Sequence, residues 1–130
     1  MEEVYNFLKE CGTFYLATEE GDKPRVRPFG VVNIFEEKLY IQTGKVKNVS
    51  KQMQINPNIE ICGMLNGRWI RVSGKVVRDD RYEAKKDMLD NNPSLKRMYS
   101  ADDDNTEVLF FEHATATISS FTEDPIIIEF

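Results

Sequence analysis

The chain has 130 residues, 41% hydrophobic and 30% charged, with a formal net charge of −5. That composition fits one globular domain over residues 1–130, excludes a disordered chain, and disfavours nucleic acid as the main partner. No apolar run approaches the roughly 20 residues that span a bilayer, so no membrane is expected.

The opening MEEVYNFLKE is acidic and amphipathic, unlike a secretory leader. Val4, Phe7, Leu8 and Cys11 fall at i, i+3, i+4 and i+7 and predict a helix that Gly12 can cap. TFYLATEE (13–20) reads as a strand and EEGDKP as a turn. RVRPFGVVNIF (25–35) and KLYIQT (38–43) read as a hairpin of two strands around Glu36 and Glu37. TGKVK is then a short loop, and NVSKQMQI a short helix with Asn48 at its N-cap and Asn56-Pro57-Asn58 at its end.

NIEICGML and RWIRVSGKVVRD form a second hairpin around Asn66-Gly67. Along its second strand Trp69, Arg71, Ser73 and Lys75 alternate with Ile70, Val72, Gly74 and Val76, which predicts one buried and one open face. DRYEAKKDML reads as a helix, SLKRMYS as a shorter one, and Asp102 to Asn105 as a polar loop. EVLFFE and HATATISSF read as a last strand pair, and PIIIEF as an apolar tail packing on the rest. About six antiparallel strands with one buried face suit a small barrel better than an open sheet with bare edges.

Charge is unevenly spread. Residues 23 to 51 hold seven Lys and Arg against Glu36 and Glu37, a local charge of +5 that leaves −10 for the remainder. Arg25, Arg27, Thr43, Lys45, Lys47 and Asn48 together offer a guanidinium fork, ammonium point charges, a hydroxyl and a helix N-terminus. Such a set suits one phosphate monoester, although neither a P-loop nor a GxGxxG is present.

Other candidates read as structural. His113, the single histidine, opens a strand; Cys62 sits beside Ile61 as a core residue; and the Asp102 to Asp104 run lacks the glycine and distal glutamate of a calcium loop. Tyr82, Met88, Leu89 and Leu95 read as helix packing. No metal site is expected, and the two cysteines point to a reducing, cytoplasmic setting.

The order RPFG, hairpin, TGKVKN, short helix ending NPN, strand, then WIRVSGKV resembles the FMN-binding split-barrel relatives of pyridoxamine 5′-phosphate oxidase, closest to the NimC/NimA-like branch. The resemblance spans roughly residues 3 to 121 and implies a mainly β (α+β) fold, a six-stranded antiparallel split β-barrel with short flanking helices. It implies FMN as cofactor and a homodimer with the flavin at the subunit interface. Arg27 would open the strand under the flavin, with Pro28, Phe29 and Gly30 lining the ring. Gln42 and Thr43 match the family's strand end, and Lys47 and Asn48 its phosphate loop. Trp69 stands where the oxidases use a glutamine from the partner subunit, and Arg71 shares its strand face.

The chain also departs from the oxidases proper. Their Ser-Arg-Lys loop run is Lys47, Asn48 and Val49 here, their substrate-side lysine is Val32, and their basic C-terminal segment is EDPIIIEF. Oxidation of vitamin B6 is therefore not expected. The resemblance implies an FMN-dependent oxidoreductase acting on a small molecule, with nitroaromatics suggested by the Nim-type relatives. The alternative is a flavin-binding module for storage, sensing or redox buffering; related barrels also bind F420 or haem.

Overall fold

A computed structural model describes residues 1–130. Its first helix, α1 (Glu2–Cys11), buries Val4, Phe7 and Leu8, and Gly12 ends it at φ 72°, a left-handed conformation that glycine adopts without strain. Eight strands follow: β1 (Phe14–Glu20), β2 (Lys23–Phe29), β3 (Val32–Phe35), β4 (Lys38–Gly44), β5 (Asn58–Leu65), β6 (Arg68–Asp79), β7 (Thr106–Ser120) and β8 (Ile126–Glu129). Helix α2 (Asn48–Ile55) links β4 to β5, while α3 (Tyr82–Asn91) and a 3₁₀ turn (Pro93–Arg97) link β6 to β7. No helix is long and apolar enough to cross a membrane.

The strands form one antiparallel, open sheet in the order β2-β1-β5-β6-β7-β4-β3, with β8 added alongside β7. This is the expected split barrel, built from more strands than the sequence suggested. The segment read as one strand over 25–35 breaks at Gly30 and Val31. Its first half pairs with β1 and its second half with β4, at opposite ends of the sheet. Pro24 and Pro28 agree with that edge position, because an even spacing turns both nitrogens to one side that an edge strand can leave unpaired.

The last strand pair is likewise corrected. Residues 106–120 form one 15-residue strand, which β6 follows along its length. The register slips between Lys75 and Val76, which sit opposite His113 and Phe111 and leave Glu112 as the extra residue. The polar Glu112-His113 step that resembles a turn is thus a bulge. The apolar tail supplies β8, which pairs with Thr115 to Ile118.

Twenty-one buried residues form the main core, from Val4, Phe7 and Leu8 through Ile59, Ile61, Ile70 and Val72 to Ala116 and Ile118. A smaller cluster of Tyr40, Ala84, Met88 and Val108 seats α3 on the sheet. The alternation along β6 holds, with Ile70 and Val72 buried and Arg71 and Ser73 exposed. Cys62 is exposed rather than in the core, because it belongs to the open face of β5 with Met64, and Tyr82 is half exposed at the start of α3.

A polar clamp ties the β3–β4 turn to the end of β6. Tyr40 donates to Asp79 at 2.8 Å, and the Arg81 guanidinium donates to Asp79 at 2.9 and 3.0 Å and to Glu36 at 2.8 and 3.1 Å. Arg81 chiefly, with Tyr40 and the Arg81 amide, holds the Asp79 carboxyl down at about 2. A lowered folded-state pKa gives stability that is complete above the ordinary value of 3.8 and gone once the pH falls through about 2. Asp79→Asn should therefore cost about 2 kcal/mol at neutral pH. In urea titrations its stability should fall less steeply than the parent's between those two pH values.

At Gly74 a β-carbon would meet the His113 carbonyl oxygen at 2.3 Å and Ala114 at 3.0 Å. These are backbone atoms beside the bulge and cannot step aside. Gly74→Ala should lower stability by about 1–3 kcal/mol, read from chemical denaturation.

Candidate functional site

Strand β2 carries its cations on one side. Arg25 and Arg27 pair with the buried Thr18 and Leu16 of β1, so both arginines lie on the inner side of the strand, toward α2. Val26 and Pro28 take the outer side and are exposed. Arg25 bonds to Glu20 at 2.8 and 3.0 Å. Arg27 has no carboxylate partner: its Nη1 donates to the Thr18 hydroxyl at 2.7 Å and the Leu16 carbonyl at 3.3 Å, and its Nη2 to Gln52 Oε1 at 2.6 Å. Burial, reinforced by the like charge of Arg25, lowers the Arg27 pKa. A cation so placed favours an incoming anion.

Across the gap β4 ends in Gln42 and Thr43, both buried. The loop beyond them is held from behind. Asn105 accepts from Lys45 N–H through its carbonyl at 2.8 Å and from Val46 N–H through Oδ1 at 3.2 Å. Asp103 organises that support by accepting from the amides of Ser100, Asn105 and Thr106. The polar loop of the sequence reading is thus a brace for the cation-bearing one. Gly44 permits the close fit, since a β-carbon there would lie 3.1 Å from the Asn105 side chain and 3.2 Å from the Tyr99 hydroxyl.

Lys47 is the N-cap residue of α2 and Asn48 its first helical residue, so the helix starts one position earlier than the sequence suggested, and no side chain caps it. The amides of Asn48 and Val49 have no acceptor within the chain. The Thr43 hydroxyl makes no hydrogen bond and the Lys47 ammonium no ion pair. Unsatisfied donors therefore meet where β4 runs into α2, and the helix dipole adds its positive end.

Arg27, Pro28, Phe29, Gly30, Gln42, Thr43 and Lys47 line one cleft of about 200 Å³, closed on its far side by Val31, Leu95, Met98 and Tyr99. A second, more open cleft of about 560 Å³ adjoins it, where Asn48 joins Arg27, Pro28 and Lys47 beside Arg25, Glu20 and Gln52. The two share the wall of Arg27, Pro28, Lys47 and Val49. One lobe is half apolar and slot-like, while the other is dominated by charged and polar side chains.

Trp69 and Arg71 are not brought to these clefts within the chain. They stand on the outer face of the sheet, where Trp69 pairs with Met64 and packs against Phe121 at 5.0 Å between ring centroids. His113 lies exposed on β7, away from both lobes. Leu95, Met98 and Tyr99 were missed as lining residues, although their i, i+3, i+4 spacing on a short helical turn marks a face in search of a partner. Thr18 and Gln52 left no sequence signal, since their burial is decided by strand pairing and by the docking of α2.

The sequence profile of the family described as pyridoxamine 5′-phosphate oxidase matches residues 1–120. No similar protein is found among those with curated functions. Among solved structures, a NimC/NimA family protein from Clostridium acetobutylicum is 50% identical over the whole of this chain and 92% of that one, with a TM-score of 0.98. A pyridoxamine 5′-phosphate oxidase-related, FMN-binding protein from Nostoc punctiforme is 14% identical over 97% of this chain and 90% of its own, with a TM-score of 0.65. A heme-binding protein from Mycobacterium smegmatis is 11% identical over 93% of this chain and 57% of its own, with a TM-score of 0.70. The last two likenesses are of fold alone. A profile match over nearly the full length, half-identity to a NimC/NimA structure and a cleft set in the split of the barrel lead to one assignment: the chain belongs to the pyridoxamine 5′-phosphate oxidase family, in its NimC/NimA branch.

Proposed function

We propose that the protein binds FMN and acts as an FMN-dependent oxidoreductase, built as a homodimer. The observation that carries this reading is the set of unpartnered donors at the β4–α2 junction. The Thr43 hydroxyl, the Lys47 ammonium and the amides of Asn48 and Val49 gather beside Arg27, next to a slot lined by Phe29, Gly30, Val31 and Leu95. Donors with no nearby free carboxylate suit a dianionic phosphate, because the one acid present, Glu20, is occupied by Arg25. The apolar slot suits the ring of the same ligand.

In this reading Arg27, Thr43, Lys47 and Asn48 hold the phosphate. Pro28, Phe29, Gly30 and Gln42 border the isoalloxazine, and Leu95, Met98 and Tyr99 keep water from its side of the slot. When bound, the flavin supplies hydride or electron transfer, and the chain binds and orients it. Likeness to an FMN-binding protein of Nostoc punctiforme supports the cofactor. A haem is less well served, since the one histidine lies outside the cleft.

A second copy of this chain is the proposed cover for the outer face. Tyr15, Val26 and Met64 are 52%, 68% and 65% exposed there, beside Trp69. Pro28 belongs both to that face and to the cleft wall, so a subunit seated on the face would also close the cleft. Trp69 and Arg71 are then placed to serve the partner's flavin rather than their own. The acceptor is a small molecule, with nitroaromatics the class proposed from the NimC/NimA kinship.

The purified protein should be yellow, releasing FMN on heating, and should sediment as a dimer. Arg27→Ala and Lys47→Ala should each weaken FMN binding by about 1.5–3 kcal/mol in fluorescence titrations, through loss of charged hydrogen bonds. Unchanged affinity in both variants would contradict the phosphate assignment. Reduction of the bound flavin by NAD(P)H, followed by reoxidation with a nitroaromatic faster than free FMN, is the expected sign of an oxidoreductase; tight binding without turnover would favour a storage or sensing module.

A further inference from the structure

The network behind Arg27 has a chemical asymmetry. A guanidinium only donates, so each partner must turn an acceptor toward it. The Thr18 hydroxyl accepts from Arg27 at 2.7 Å and spends its own hydrogen on Gln52 Oε1 at 2.5 Å. Gln52 Oε1 therefore accepts twice, from Thr18 and from Arg27 at 2.6 Å, and its Nε2 donates outward to Glu20 at 3.4 Å. Glu20 can accept it because Arg25 already holds that carboxylate at 2.8 Å. Both Thr18 and Gln52 are buried, at 3% and 6% exposure, so water does not compete for these bonds.

The partner that fixes Arg27 is thus a neutral amide, while the nearest carboxylate is spent on the neighbouring arginine. Leu16, Thr18 and Gln52 occupy three of the five guanidinium hydrogens, leaving Nε–H and one Nη2 hydrogen without an acceptor. Two hydrogens of this kind make a bidentate contact with an oxyanion. A glutamate in place of Gln52 would have the same size and would still hold Arg27, but it would cancel its charge.

We infer that Gln52, seated by Thr18 and Glu20, is a positioning residue that locks the Arg27 guanidinium while leaving its charge uncompensated, and thereby sets the cleft's preference for a phosphomonoester over the same ligand without its phosphate. The inference rests on the FMN reading above and extends it to residues outside the cofactor contacts.

FMN and riboflavin differ only in the phosphate, so their affinities, measured by fluorescence titration at several salt concentrations, separate this role from a structural one. Gln52→Glu should weaken FMN about tenfold or more, as expected when a buried cation gains a competing carboxylate. Riboflavin affinity should stay within about twofold, and the salt dependence of FMN binding should become shallower. Thr18→Val, which frees both Arg27 and Gln52 without adding charge, should narrow the gap between FMN and riboflavin by about threefold. Thermal melts confirm folding, and if Gln52→Glu does not fold, Thr18→Val decides alone. Parallel loss of FMN and riboflavin, or an unchanged preference for FMN, would overturn the positioning role while the FMN reading stands. A parent protein that binds FMN no better than riboflavin would overturn the phosphate site and this inference together.

Discussion

Two residues, Gly30 and Val31, join the two edge strands of the sheet. Because β2 and β3 are neighbours in the chain but lie at opposite ends of the strand order, the barrel is closed there by covalent chain rather than by a hydrogen-bonded ladder. Side chains from the β2 edge and from β4, the strand next to the other edge, line the opening this leaves. Phe29 and Pro28 come from one rim, Gln42 and Thr43 from the strand beside the other rim, and α2 and the 3₁₀ turn cover the ends. Edge strands usually demand protection from self-association. In this fold the prolines of β2 disarm one edge, and that edge becomes one wall of the cleft.

The same arrangement explains how an acidic protein keeps a basic pocket. Surface acids distributed over the rest of the chain do little at a distance in salt water, where fields fade within about 10 Å. What matters is what stands within hydrogen-bond reach. Around Arg27 those groups are an amide, a hydroxyl and a carbonyl; around Lys47 no carboxylate approaches. Glu20, the one carboxylate lining either lobe, is directed to Arg25, and Asp79 and Glu36 are held by Arg81. The Asp79 clamp also fixes the start of α3, and with it the 3₁₀ turn that carries Leu95, Met98 and Tyr99 across the slot.

Helix α2 has a double role. Its N-terminus presents free amides to one lobe, while Gln52, on the second turn, reaches back to grip the arginine of another element. Val49 is shared by the walls of both lobes and packs into the main core. A shift of α2 would therefore move its free N-terminal amides and the guanidinium together, which keeps the donor set in register.

Sequence alone determined the features that depend on neighbours along the chain. The amphipathic period of α1, the Asn66-Gly67 turn and the alternation of β6 are local or short-range, and the structure keeps each of them. Only the tertiary structure decided where RVRPFGVVNIF breaks, because both halves have strand character and the break is set by which partners they find. It likewise decided that Glu112 bulges instead of turning, that Cys62 faces outward, and that Thr18, Gln52 and Tyr99 meet the site. Those outcomes follow from contacts between residues tens of positions apart, whose free energy exceeds the local preference and leaves no trace in the order of side chains.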